Sequence, residues 1–312
     1  MLLELDDFIS NLRCPKSGCK LVRKENKLIA IGNDQLQYEI IDGRPILVDF
    51  DRSILNKDTL FEHHAISPIK RNSYRGFRGE IKKLFEPPRR KSILCIKRII
   101  FDLDKLTKKP RVLIIGGGSI GYLMESFYTN PKIALISFDI YSSPFVQFIG
   151  DSHNIPIETD FFDCVIIQTV LEHVLEPHIV VKEIARVLKA GGIVYSETPF
   201  MQHVHEGAYD FSRFTESGHR YLFQDFDHLD SGTIGGCGTQ LLWAIEIFTR
   251  GLFRSKKIGK LFKLLLFWLK YFDLIIPAPY SIDAASCVFF LGKKQDNRIC
   301  PKDIVKYYKG AQ

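Results

Sequence analysis

From residue 111 onward, short runs of branched apolar residues alternate with stretches whose apolar positions recur every three or four residues. The runs "RVLII", "KIALISF", "DCVIIQ" and "GGIVYSE" are apolar at successive positions, as strands covered on both faces are. With helical patterns between them they predict an α/β fold: a Rossmann-like, mostly parallel seven-stranded sheet with helices on both faces. The clearest helix lies in "EPHIVVKEIARVLKAGG". There Val180, Val181, Ile184, Val187 and Leu188 share one face, Pro177 suits the first turn and Gly191 the exit. "DHLDSGTIGG" and "AASCVFFLGKK" supply the last two strands, separated by a helical insertion at about 239–280.

Upstream the pattern changes. Residues 1–50 carry the strand-like "KLIAI" and then "LQYEIIDGRPILVDF", where Asp42-Gly43 sits between two apolar runs as a hairpin turn does. They are expected to form a small β-rich domain. Residues 51–110 are mixed and basic, with Pro87-Pro88 as a break and "SILCIKRIIFDLDKL" as a helix leading to Pro110. The remaining chain, 111–312, forms the main domain.

Charge adds a second layer. The formal net charge is +7, and between Lys70 and Arg98 eleven basic residues face only Glu80 and Glu86. Such an excess attracts anions: phosphorylated metabolites, anionic lipid or nucleic acid, unless it is simply a solvated face. The opening "MLLELDDFISNLRCP" has acids where a signal peptide has basic residues, and the seven scattered cysteines do not form a disulfide framework. A cytoplasmic protein is expected.

Candidate chemistry begins at "RVLIIGGGSIGYL", where a strand runs into glycines and then into apolar residues again. Stripping side chains from a strand-to-helix turn lets backbone pass close to a bound nucleoside, and Gly116, Gly118 and Gly121 are assigned to this work. Asp139 ends the next strand, where a carboxylate can accept both ribose hydroxyls. These two features suit NAD as well as other adenosine cofactors.

The run "GDSHNIPIETDFFDCVIIQTVLEHVLEPHIVVKEIARVLKAGGIVYSETPF", residues 150–200, resembles the class I S-adenosylmethionine-dependent methyltransferases, in the branch of small-molecule, quinone and glycan methyltransferases. The resemblance implies S-adenosyl-L-methionine as cofactor. Gly116, Gly118 and Gly121 would then line its methionine and ribose moieties and Asp139 would hold the ribose hydroxyls. Asp151 would accept from the adenine amino group, Ser152 would offer a backbone N–H, and Gln168 would border the methionine part. The sequence departs from the family at Ile114, where an acidic residue is common two positions before the first glycine, and the glycine spacing is one residue longer.

Beyond "ETPF", the segment "MQHVHEGAYDFSRFTESGHRYLF" gathers His203, His205, Glu206, Asp210, Arg213 and His219 in what reads as a loop. A hydroxyl acceptor must lose its proton as it attacks, which is work for a histidine or a carboxylate. His205 is the candidate general base, with Asp210 beside it and Arg213 as an anion or structural clamp. The opposing reading makes Tyr209, Asp210 and Arg213 a structural ion-pair corner. Glu172 and His173 in "VLEHV" are read as structural. "HEGAYDFSRFT" resembles a segment of methyltransferases encoded with surface-glycan synthesis, which implies a small-molecule or lipid-linked glycan acceptor.

"LRCPKSGCKLVRKENKLIAIGNDQLQYEIIDGRPILV" resembles the small zinc-ribbon-like domain of the tRNA methyltransferase activator family. A structural zinc takes four ligands, and here only Cys14 and Cys19 remain, with His63 and His64 the nearest replacements. A metal-free fold is expected, and no metal site is assigned elsewhere.

In the insertion, "SKKIGKLFKLLLFWLKYFDLII" reads as one helix with Lys256, Lys260, Lys263 and Lys270 along a stripe. Three roles are open to its segment 255–272: packing on its own domain or in a homodimer, lying in a membrane interface, or capping the substrate. The sequence reading is therefore a methyltransferase acting on an oxygen of a small or lipid-linked glycan precursor. A quinone or other lipid-like acceptor is the rival among enzymes, and a non-catalytic S-adenosylmethionine-binding or activating protein the rival outside them. Nucleic acid ranks behind a small acceptor as partner.

Overall fold

The computed structural model describes residues 1–62, 89–121, 123–295 and 298–312; His63, His64, Pro87-Pro88 and most of the basic stretch from Lys70 fall outside them. The chain forms two compact units. One comprises the described residues up to 62 with 101–168 and 176–194; the other comprises 89–100, 169–175 and 195 onward.

In the first unit, β1 (Leu21–Lys24), β2 (Lys27–Ala30), β3 (Asn33–Ile41) and β4 (Arg44–Leu47) are joined antiparallel in chain order. Asp42 and Gly43 turn between β3 and β4 with φ of 49° and 77°, the positive pair that a two-residue hairpin of matching twist requires. The parallel core consists of β5 (Arg111–Ile115), β6 (Ala134–Asp139), β7 (Phe148–Gly150) and β8 (Phe162–Gln168), with β5 between β6 and β8. The two sets are continuous: β4 lies parallel to β7, with Ile46 opposite Ile149 and Leu47 opposite Gly150. Ile46, Leu47 and Val48 are all buried, so this run lacks the alternation of an edge strand and takes an interior place. The helix α1 (Lys57–Glu62) packs Leu60 against Ile46, Val48 and Ile149.

Strand β9 (Leu188–Pro199) adjoins β8, giving the order β1-β2-β3-β4-β7-β6-β5-β8-β9. The expected α/β fold with a parallel Rossmann-like core is what the chain adopts. Of its helices, α2 (Arg90–Leu106) is the one expected ahead of Pro110, α3 (Glu125–Thr129) follows the glycine turn, and α4 (Pro177–Val187) buries Val180, Val181, Ile184 and Val187. Arg186 of α4 donates to the carbonyls of Ile155 and Ile157, and Glu183 accepts from the Ile155 N–H. These bonds pin the loop that carries Asp151.

β9 neighbours β11 (Cys287–Lys294), which in the second unit pairs antiparallel with β10 (Phe226–Gly235). Its helices are α5 (Glu216–Leu222), α6 (Cys237–Leu252), α7 (Lys256–Leu265) and the short α8 (Ala278–Ser281).

The insertion departs from the single second helix expected. α7 ends at Leu265, and Phe267–Leu274 continues as a tighter 3-10 segment. The tightening presents Asp273 to the start of α6, where its carboxylate accepts from the N–H groups of Gly236, Gly238 and Thr239 and from the Thr239 hydroxyl. A carboxylate there satisfies orphan donors and complements the helix dipole. The change of pitch also breaks the lysine stripe: Lys256 and Lys260 are exposed, Lys263 pairs with Glu246 at 2.7 Å, and Lys270 is buried.

Candidate active site

The cofactor candidates all lie in the first unit. Gly116 leaves β5 with a φ of 76°, and the N–H groups of Gly116 and Gly117 both donate to the Phe138 carbonyl at 3.0 Å. Gly118 donates its N–H to Asp139 Oδ2 at 2.8 Å, and Ile140 donates to Oδ1 at 2.7 Å. The glycine turn and the carboxylate at the end of β6 are thus one construction, with Asp139 only 4% exposed. Gly117, not among the glycines expected to serve the cofactor, is also tightly enclosed. A Cβ on Gly117 would lie 1.8 Å from Ser137 Oγ.

Gly121 faces Gln168 at the end of β8: a Cβ on it would stand 3.1 Å from Gln168 Oε1. Gln168 Nε2 is buried and has no hydrogen-bond partner. A bare backbone beside an unmatched donor is a place for a polar ligand group, and the pair fits the cofactor the sequence implies. Asp151 receives hydrogen bonds from the Ser53 hydroxyl and the His153 N–H, and His153 Nδ1 lies 2.6 Å from it. Burial raises its carboxyl, but the bonds from His153 and Ser53 outweigh burial and hold it below its ordinary value. Ser152 beside it is buried. Ile114, at the position where an acidic residue is common, is a buried member of β5.

The second group lies in the second unit, in a short turn at Leu171–His173 and in the segment 200–215. The Glu172 carbonyl accepts from the N–H groups of Phe211 and Ser212, which ties the two together. Arg213 bonds with every guanidinium N–H: to Asp210 through both terminal nitrogens, and to the carbonyls of Gln202, His203 and Ser212. No donor is left for an anion, so Arg213 fastens the loop. Asp210 is its buried counterion; burial raises this carboxyl, but the guanidinium outweighs it and brings it to about 2.

His205 stands on this clamp. Its N–H donates to Asp210 Oδ2, and its Nδ1 lies 3.2 Å from the same oxygen. Burial and the neighbouring His173 push its imidazole below its ordinary value. His219, expected in the same loop, is instead inside α5, whose start is capped by Thr215. It is buried against Ser196, and burial lowers it to about 3, so it stays neutral and structural.

Glu172, expected to be structural, has an unusual environment. It is fully buried, neither carboxyl oxygen has a hydrogen-bond partner, and burial pushes it up to about 8. His173 Nε2 and His205 Nε2 lie 3.7 and 3.9 Å from its Oε1. Thr169, just upstream, holds a φ of 51°, a strained value for a β-branched residue.

Residues 132–196, from the start of β6 through α4 into β9, match the family model described as a methyltransferase domain. The chain carries a methyltransferase domain. It is an enzyme, and its cofactor is S-adenosylmethionine. Solved structures resemble the methyltransferase weakly. A putative sarcosine dimethylglycine methyltransferase from Galdieria sulphuraria is 14% identical with a TM-score of 0.42, over 66% of this chain and 87% of that one. The complex of the Haloferax volcanii Trm112 methyltransferase activator and its putative methyltransferase contains a chain 17% identical, TM-score 0.42, over 64% and 88%. The phosphoethanolamine N-methyltransferase 2 of Haemonchus contortus, solved with phosphomonomethylethanolamine and S-adenosylhomocysteine, is 16% identical, TM-score 0.42, over 67% and 53%. At this distance the likenesses say nothing about substrate. Among curated proteins none matches the sequence. Among the described residues no helix is long and apolar enough to cross a membrane.

Proposed function

We propose that this methyltransferase acts on a hydroxyl oxygen of a small-molecule or lipid-linked glycan precursor. The observation that carries the oxygen acceptor is His205: a neutral imidazole whose Nδ1 faces a clamped carboxylate, which leaves the lone pair on Nε2. S-adenosylmethionine, when bound, supplies a sulfonium-activated methyl group and leaves as S-adenosylhomocysteine. Gly116, Gly117, Gly118 and Gly121 give the backbone access that its methionine and ribose parts need, and Asp139 takes the ribose hydroxyls. Asp151 and Ser152 serve the adenine, and Gln168 offers its unmatched Nε2–H to the methionine end. His205 takes the acceptor proton, while Asp210 and Arg213 act as positioning residues that hold it.

The lipid-linked character rests on the insertion. Phe248, Leu252, Leu261, Leu264, Leu265 and Trp268 are between 47% and 67% exposed, and Lys256, Lys257 and Lys260 are exposed near them. Apolar side chains beside a basic edge suit a membrane interface. The same surface favours a second reading, a quinone or other lipid-like acceptor. Metabolite profiling of a deletion strain, followed by transfer of labelled methyl to the accumulated precursor, separates the two. His205→Ala should lower that transfer roughly 10²- to 10⁴-fold with cofactor affinity intact. Label appearing on nitrogen, or full activity of His205→Ala, would sink the oxygen reading.

A further inference from the structure

Glu172 is the residue that this catalytic scheme does not use. A fully buried carboxyl with two unpartnered oxygens is costly unless something cationic completes it. Two imidazoles face it, with Nε2 atoms 3.7 and 3.9 Å from Oε1. Those separations are too long for hydrogen bonds but close to the spacing of atoms that share a small cation. Ligands about 2.0 to 2.2 Å from a zinc-sized ion stand roughly 3.3 to 3.6 Å apart in a tetrahedral set. All three ligand atoms lie within 4.8 Å of one another, and among the described residues this is the one such group of three.

The outer contacts point the same way. His173 Nδ1 is 2.7 Å from the Tyr209 carbonyl, which can only accept, so this nitrogen carries the proton and Nε2 keeps its lone pair. His205 Nδ1 faces Asp210, itself fastened by Arg213. Metal-binding histidines are oriented in this manner, with the second ring nitrogen held by a carbonyl or carboxylate.

We propose that Glu172, His173 and His205 bind one divalent transition-metal cation of the zinc or manganese type, and that its open position takes the acceptor oxygen. Two imidazoles and one carboxylate suit such ions rather than magnesium or calcium, and three protein ligands leave room for a fourth. The imidazoles are 20% and 30% exposed while the carboxylate is closed off, so the open position is on the histidine side. A coordinated acceptor hydroxyl loses its proton to water because the cation lowers its pKa. The oxygen lone pair then forms the bond to the methyl carbon, and the sulfur keeps the pair of the broken C–S bond. With the cation bound, this route replaces the direct proton transfer to His205, since one lone pair cannot both coordinate and accept a proton; His205 is the base only in the cation-free protein. Binding rests on this geometry alone; the use of the cation rests on the methyl-transfer reading.

The test is calorimetric titration of the chelator-stripped full chain with Zn²⁺, Mn²⁺ and Mg²⁺, with elemental analysis after gel filtration. One Zn²⁺ per chain is expected, weakened at least tenfold in Glu172→Gln and in His173→Asn, and unchanged in Cys14→Ser/Cys19→Ser. Circular dichroism and S-adenosylhomocysteine binding establish that the variants are folded; His173 and His205 are accessible enough that His205→Asn provides a further folded variant. No Zn²⁺ binding by the wild type, or binding that survives these ligand changes, would overturn the site. If the cation binds but the stripped enzyme methylates its acceptor at the same rate, the acceptor role fails and His205 stands as base. If neither form methylates any hydroxyl acceptor, the proposed function fails while the binding result still decides the site.

Discussion

Gly117→Ala probes the packing on which the cofactor turn depends. The added Cβ would meet Ser137 Oγ at 1.8 Å, Tyr128 Oη at 3.0 Å and Ser137 Cβ at 3.1 Å. Ser137 cannot retreat, because it is buried in β6, paired with Ile114 of β5, and its N–H donates to Gln147 at 2.7 Å. Rotating its hydroxyl relieves only the closest contact. Overpacking of this kind costs about 1 to 3 kcal/mol, and the two remaining tight contacts place the expected loss in the upper half of that range. The shift also pulls the Gly118 N–H from Asp139, so affinity for S-adenosylmethionine should fall as well. Urea unfolding of wild type, Gly117→Ala, Ser137→Ala and the double variant reads the effect. Ser137→Ala should restore at least half of the lost stability, a coupling of at least about 1 kcal/mol between residues in contact. Unchanged stability of Gly117→Ala, or strict additivity in the double variant, would refute the packing.

Asp273→Ala removes the carboxylate that serves four donors at the start of α6 and should cost about 2 to 3 kcal/mol by urea unfolding, with the loss confined to the insertion in hydrogen exchange. Cys14→Ser should leave the metal content of the purified protein unchanged, because the Cys14 thiol is engaged with Tyr38 at 3.1 Å and only Cys19 accompanies it; a stoichiometric zinc lost from this variant contradicts that. The Asp151 carboxyl is depressed in the folded chain, so its stabilising contribution is complete above the ordinary carboxylate value and is lost as pH falls through the folded value. Ser53→Ala should therefore reduce stability at neutral pH and narrow the difference from wild type in acid, as followed by thermal unfolding across pH.

The strands and the start of α4 were legible because continuous apolar runs and a first-turn Pro177 are local signals, but the helix ends at Val187, so Leu188 and Gly191, expected on its apolar face and at its exit, lie in β9. The pairing of β4 with β7 had a signal too, since "ILV" at 46–48 does not alternate, but the hairpin turn at Asp42-Gly43 is the stronger local signal and indicates only the antiparallel β3–β4 pair. His219 lies in a helix rather than the expected loop, and Thr215 ahead of Glu216 is the N-cap signature that marks it. The burial of Lys270 was not legible, because it follows from Asp273 docking on a helix 34 to 37 residues earlier. The same is true of Glu172. "VLEHV" fixes where the carboxyl lies along the chain, whereas the approach of His205 and the lack of donors are tertiary facts.

The most direct measurement is calorimetric titration of the purified protein with S-adenosylmethionine and with NAD. S-adenosylmethionine should bind at one site per chain and NAD should give no binding heat. Asp139→Ala should weaken the first by about 1.5 to 3 kcal/mol, roughly 10- to 150-fold, the loss expected for charge-assisted hydrogen bonds. Binding of NAD with no response to S-adenosylmethionine would contradict the account.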